Sequence, residues 1–214
     1  MITIHEPAVV LTDLGLAVLG GVFAWRLRWP APRGPRPALL LGGLASAALW
    51  GAVFHAFFPA KTATPGGHVV WMLVALSIVV VTGVLLSLVI AVRRPDLEPR
   101  VSRSWAIGFA TLFAAVIVFV DESFRTIVRF FGPVLLVTVI VAIIEAAQTG
   151  SRAWALIAVG LGLSGVAAVL QQAGVALHAT YFDHNAVYHV VQAGALVVLY
   201  RGFRHGAPDP AVAR

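Results

Sequence analysis

Six of the seven histidines in this chain gather at one end of its hydrophobic segments. His5 precedes the first segment, His55 closes the second and His68 opens the third; His178 closes the sixth, and His184 and His189 open the seventh. Asp13, Asp121, Glu122 and Asp183 fall at the same end, and only His205 lies at the other, in the tail. Imidazoles and carboxylates held at membrane depth are costly, and they normally face a bundle interior or a wet cavity, where they act as metal ligands or as acids and bases. The chain has no cysteine. That removes thiolate ligands, disulfides and cysteine nucleophiles, so a metal here must be held by His, Asp, Glu or Asn, a donor set that suits zinc or another borderline ion.

Helical spacing predicts which of these groups meet. Asn185, His189 and Gln192 stand at i, i+4 and i+7 and share one face of the seventh segment. His184 lies five residues before His189, about 140° away around a regular helix, and joins that face only if the helix starts irregularly at "FDHN". Ser164, Ala168, Gln171, Val175 and His178 share a face of the sixth segment, Asp13, Ala17, Gly20 and Ala24 one of the first, and Ala48, Gly51 and His55 one of the second. Small residues let such faces approach closely. The expectation is one cavity holding Asp13, His55, His68, His184 and His189. Two readings of it are open: three or more of the four histidines share a metal, or the polar groups form a hydrogen-bonded plug that fixes helix packing. Arg125 and Arg129 are one turn apart at the same end, with Asp121 four residues before Arg125. A local Asp121–Arg125 salt bridge is the simpler reading; a clamp on an anionic headgroup or carboxylate is the other.

The elements that must position these residues are membrane helices. The chain has 214 residues, 60% hydrophobic and 11% charged, against about 25% charged in a soluble domain. Seven apolar segments, near 8–28, 37–58, 68–92, 104–120, 126–148, 153–178 and 185–203, are separated by Pro, Gly and charge clusters such as "RWPAPRGPRP" and "RRPDLEPRVSRS". The fold class is an all-α seven-helix membrane bundle forming a single domain, with a kink at Gly132-Pro133. The first segment lacks a basic n-region and a cleavage motif, so it counts as a spanning helix rather than a signal peptide.

Of the 15 basic residues, only Lys61, Arg125 and Arg129 lie on the N-terminal side, and the other twelve lie opposite. The positive-inside rule then places the N-terminus outside and the C-terminus in the cytoplasm. The net charge of +6 is a topology signal, not a nucleic-acid surface. An arginine bias of 14 to one lysine points to a high-GC bacterial chain, hence a bacterial cytoplasmic membrane.

Seven helices with "GAVFH" ending the second and "HNAVYHVVQ" opening the seventh resemble the superfamily of alkaline ceramidases, progestin/adipoQ receptors and haemolysin III proteins. They also resemble an uncharacterised bacterial membrane-protein family with "EPxxxLTD" near the start, here Glu6 to Asp13, and "HNxxxHxxQ" near the end, here His184 to Gln192. In the superfamily a zinc ion is held by one histidine of the second helix and two of the seventh, beside a serine one turn before the first. This chain has Gly51 at the serine position and Asn185 four before His189. The resemblance implies a zinc-dependent hydrolase of a lipid amide or ester, with His55, His184 and His189 as ligands and Asp13 or His68 as general base or partner of a ligand. Gln171, Asn185 and Gln192 would donate to a developing oxyanion. Membrane lipids are the expected partners. The alternative class is a non-enzymatic membrane component: a haem protein with axial histidines, a receptor, or an accessory subunit whose protein partner the sequence does not name.

Overall fold

The structure, a computed structural model, describes residues 4–28, 35–178 and 182–206, with the backbone alone at Lys61. The described residues form seven helices: α1 (Pro7–Leu27), α2 (Arg36–Phe57), α3 (Pro65–Arg93), α4 (Pro99–Phe119), α5 (Phe124–Thr149), α6 (Arg152–Gln172) and α7 (His184–Arg204). A short 3-10 turn, Lys61–Ala63, precedes α3. All seven are long and apolar enough to cross a membrane, and the chain is an integral membrane protein.

Local chemistry sets the helix ends. Proline stands in the first turn of α1, α2, α3 and α4, where its missing N–H is not needed. Side chains of Thr64, Ser123, Ser151 and Asp183 accept from the first-turn amides of α3, α5, α6 and α7. Helix α5 runs without a break through Pro133. Helix α6 stops at Gln172, six residues before the expected end. Gly174 there is left-handed, at φ 68°, and the chain then forms an antiparallel bridge in which His178 and Phe182 exchange N–H···O bonds of 3.0 Å. His178 therefore lies on a loop, not on the inner face of α6.

Six helices close a ring, in the order α1, α2, α3, α5, α6, α7 and back to α1. Helix α4 stays outside, packed on α3 and touching α5. The ring is tightest where glycine removes a side chain. A Cβ at Gly20 would meet Ala45 at 3.1 Å, joining α1 to α2, and one at Gly160 would meet Leu199 at 2.6 Å, joining α6 to α7. The main core, including Leu41, Leu85, Ile157, Leu196 and Leu199, fills the ring toward the C-terminal side. A second cluster around Phe113 and Ile117 fixes α4 to α3 and α5, with Phe113 stacked on Phe130 at 4.7 Å. The N-terminal side of the ring is left for the polar groups.

Candidate functional site

A cavity of about 280 Å³ occupies that part of the ring, and every ring helix contributes to its wall. Asp13 comes from α1; Gly51, Phe54 and His55 from α2; Trp71 and Ile78 from α3; Phe124 and Ile127 from α5; Gln171 from α6; and Asn185, Tyr188, His189 and Gln192 from α7.

Two buried ionisable groups form a pair in the cavity wall. Asp13 is 3% exposed and His189 6%, with His189 Nε2 3.1 Å from Asp13 Oδ1. The other ring nitrogen, Nδ1, is 2.9 Å from Thr12 Oγ1. Thr12 also lies 2.9 Å from the Val9 carbonyl and 3.0 Å from that of Ala8. Its single proton has two uses. If Thr12 donates to its own helix, it accepts from Nδ1–H, and the proton between Nε2 and Asp13 sits on the carboxyl of a neutral pair or on the imidazolium of an ion pair. If Thr12 donates to Nδ1, that proton belongs to the imidazole. Either way one proton sits between Oδ1 and Nε2, the arrangement of an acid–base pair. Asp13 Oδ2 is buried with no hydrogen-bond partner among the described residues. Such an atom costs about 1–3 kcal/mol unless something donates to it. It lies against Gly51, where a Cβ would come within 2.9 Å of it. Glycine at position 51 thus makes room for a carboxylate arriving from α1.

His55 is anchored from the same N-terminal segment. Its Nδ1 is 2.5 Å from Glu6 Oε2, and the His5 amide donates to the Ala56 carbonyl at 3.1 Å. Glu6 caps α1 in left-handed backbone, φ 47° and ψ 54°, and its side chain makes no capping bond. A non-glycine residue pays roughly 1–2 kcal/mol for that conformation, and the contact to His55 and the His5 bond hold it. Glu6 and Thr12 therefore each fix one cavity histidine through Nδ1.

The amides complete the wall. Gln171 Nε2 donates to Asn185 Oδ1 at 2.8 Å, which leaves the Asn185 NH₂ as a donor. Gln192 Nε2 donates to Ser164 Oγ at 3.1 Å, and Ser164 donates to the Gly160 carbonyl. These bonds tie α7 to α6 at the level of the pair.

Of the expected five, Asp13, His55 and His189 line the cavity, as do Gln171, Asn185 and Gln192; His68 and His184 do not. His184 begins α7 as a regular helical residue, because Asp183 Oδ1 accepts from Ala186 N at 2.9 Å and caps it. The irregular start that would turn His184 toward His189 is absent. His68 is 51% exposed, with Nδ1 2.6 Å from Glu122 Oε2. Trp71 Nε1 donates to the Glu122 carbonyl at 2.7 Å, so His68 serves the α3 contact with the α4–α5 connection. Arg125 and Arg129 also stand outside the cavity. The expected Asp121–Arg125 bridge is replaced by local bonds: the Asp121 carboxylate accepts from Thr126 Oγ1 and, at 2.9 Å, from Ser123 N and Oγ. These bonds, Thr126 foremost, hold the Asp121 carboxyl below its ordinary range. Arg129 lines a separate apolar hollow with Phe109, Phe130 and Pro133.

Among the described residues no three His, Asp or Glu side chains are grouped to hold an ion. Helical spacing alone does not single out Thr12 and Glu6 as partners of the cavity histidines. The signal was in the quoted "EPxxxLTD" stretch, which carries both.

The sequence profile of a family of unknown function, DUF6962, matches residues 8–208, and the chain belongs to that family. No curated protein and no solved structure matches it.

Proposed function

We propose that this family member is a membrane-embedded hydrolase of a lipid ester or amide, working by acid–base chemistry at Asp13 and His189. The observation that carries this reading is the Asp13–His189 pair, buried in a cavity wall with Oδ2 of Asp13 lacking a protein donor. A water held at Oδ2 gives its proton to the pair as its oxygen attacks the substrate carbonyl. The Asn185 NH₂ donates to the oxyanion that forms. The pair then returns the proton to the departing alcohol or amine as the bond to the acyl carbon breaks. Thr12 keeps the imidazole oriented throughout, and the aromatic wall of Phe54, Trp71 and Phe124 limits bulk water.

A second reading adds a zinc ion on different ligands from those expected. It is favoured by Glu6 and Thr12, which each occupy one Nδ1, as the outer partners of metal-bound histidines do. Asp13, His55 and His189 line the cavity but are not grouped to hold an ion as they stand; they would have to draw together to hold one, and the ion would then supply a more acidic water and a polarised carbonyl.

The basic-residue asymmetry supports a cavity opening at the outer face of a bacterial cytoplasmic membrane. Cysteine labelling at Thr62→Cys and Leu97→Cys tests it; Leu97→Cys reacting from outside reverses the orientation. The activity is tested by incubating purified protein in lipid nanodiscs with fluorogenic acyl esters and acyl amides. Turnover lost in Asp13→Asn is expected. Turnover of neither class by the wild type, or full turnover by Asp13→Asn, overturns the reading.

A further inference from the structure

A second cavity, of about 680 Å³ and almost wholly apolar, lies between α5 and α6. It shares a wall with the polar cavity: Ile78, Phe124, Ile127, Gln171 and Tyr188 line both. Its floor is buried, at Ile127, Leu135 and Leu161, while its rim at Val128, Leu136 and Val169 is exposed on the lipid-facing surface. The hollow thus runs from the membrane to the edge of the Asp13 cavity.

Glycines keep it open. A Cβ at Gly132 or Gly162 would meet nothing within 4 Å, and one at Gly165 would meet only Leu135 Cδ2, at 4.0 Å. Along α5 the lining runs from Phe124 to Val139, roughly 22 Å at 1.5 Å per residue. The hydrocarbon of one leaflet is about 15 Å deep, half of a 30 Å core. The hollow therefore spans a leaflet's depth. Its polar lining groups, Gln171, Gln172 and Tyr188, come from the end of α6 and the start of α7, at one end of it.

We propose that this groove holds one acyl chain of a membrane lipid, with the carbonyl end at Tyr188 and Gln171, on the threshold of the Asp13 cavity. Three features select that occupant. The lining is hydrocarbon at membrane depth, so the filling group is hydrocarbon. Helices α5 and α6 pack against each other, so the space between them excludes a partner helix, about 10 Å across. One polar end and one long apolar arm match a molecule with a single carbonyl and a tail. The inference rests on the hydrolase reading only for the fate of the carbonyl, and it names the substrate class for that reading: a lipid whose acyl chain enters sideways between α5 and α6.

The test uses full-length protein in nanodiscs containing a phosphatidylcholine with a diazirine on one acyl chain. Photolysis should label α5 between Val128 and Val139 and α6 between Leu161 and Val169. Gly162→Leu and Gly165→Leu fill the groove and should cut that labelling by about tenfold; Asp13→Asn should leave it unchanged. Size-exclusion profile and unfolding temperature check that both glycine variants fold. Val169→Trp, at the exposed rim, gives a second block that leaves the packed interior alone. Labelling spread evenly over the outside, α4 included, overturns the proposal, as does groove labelling that neither a folded glycine variant nor Val169→Trp reduces. Groove labelling without turnover sinks the hydrolase reading and keeps the acyl-chain site. Asp13-dependent turnover with even labelling does the reverse.

Discussion

Asp13 on α1 and Gly51 on α2 are sized to each other. Asp13 Oδ2 lies 2.9 Å from where a Cβ on Gly51 would stand, and its carboxyl carbon lies 3.3 Å from that point. A side chain at 51 and a carboxylate at 13 cannot both keep these places. Gly51→Ala should destabilise the protein by about 1–3 kcal/mol through overpacking, and it should reduce turnover by displacing the carboxylate. The combined Asp13→Ala, Gly51→Ala protein should regain stability and remain inactive. Thermal unfolding of the four proteins reads the coupling. Additive losses would show that the two sites are independent.

The partner of the imidazole gives a second prediction. Thr12→Val keeps the side-chain shape and removes the hydroxyl beside His189 Nδ1. The stability loss should be modest, about 1 kcal/mol. The catalytic effect should appear in kcat more than in KM, because Thr12 orients the ring and does not line the cavity. Unchanged kcat in a folded Thr12→Val protein would remove Thr12 from the relay.

Ligand sets separate the histidines. His184→Ala should leave both turnover and any bound zinc unchanged, since the capped start of α7 keeps it off the cavity wall. His189→Ala and His55→Ala should each remove whatever zinc the wild type carries, measured by elemental analysis after purification. Zinc lost with His184→Ala and kept with Asp13→Ala would restore the three-histidine set and exclude the one named above.

The bundle was legible from sequence because each spanning segment is a long apolar run closed by proline, glycine or charge. Six of the seven expected helices agree with the structure to within a few residues, apart from a start at Pro99 rather than 104. The sixth was overextended because "AGVALH" continues its apolar character, while a left-handed Gly174 and the His178–Phe182 bridge end the helix locally. Of the five residues expected in one cavity from depth and helical face, Asp13, His55 and His189 line it, beside Gln171, Asn185 and Gln192. His68 stood at the right depth but pairs with Glu122, a contact that depends on where the α4–α5 connection lies. Depth along a helix can be read from spacing; the position of one helix around the ring cannot. Nothing in the periodicity shows that α4 stands outside the ring or that α5 and α6 part to leave a groove.

The backbone at Glu6 provides a test of the N-terminal segment. Its left-handed conformation disfavours any L-residue, while its carboxylate contacts His55. Glu6→Ala keeps the backbone cost and loses the contact; Glu6→Gly loses the contact and relieves the cost. The glycine variant should be the more stable of the two by about 1 kcal/mol, and both should perturb the cavity equally. The reverse order in unfolding temperature would mean that the segment does not hold this conformation.

The last prediction concerns pH at the α4–α5 connection. Asp121 has its carboxyl lowered from the ordinary value of 3.8, chiefly by the Thr126 hydroxyl and then by Ser123. A carboxyl whose folded value is depressed contributes stability above its unfolded value and loses it as pH falls through the folded one. The start of α5 should therefore stay protected from neutral pH down to the ordinary carboxylate range, then loosen below it. Thr126→Val removes the largest of the three bonds, so in that variant the loss on acidification should be smaller and complete at a higher pH. Hydrogen exchange of the Ser123–Ile127 amides, followed from about pH 6 to about pH 3 and corrected for intrinsic rates, reads this directly. Asp121→Asn should lose the charge-assisted part of the protection at all pH values and show no further loss on acidification. An identical pH response in wild type and Asp121→Asn would assign the loosening to another group.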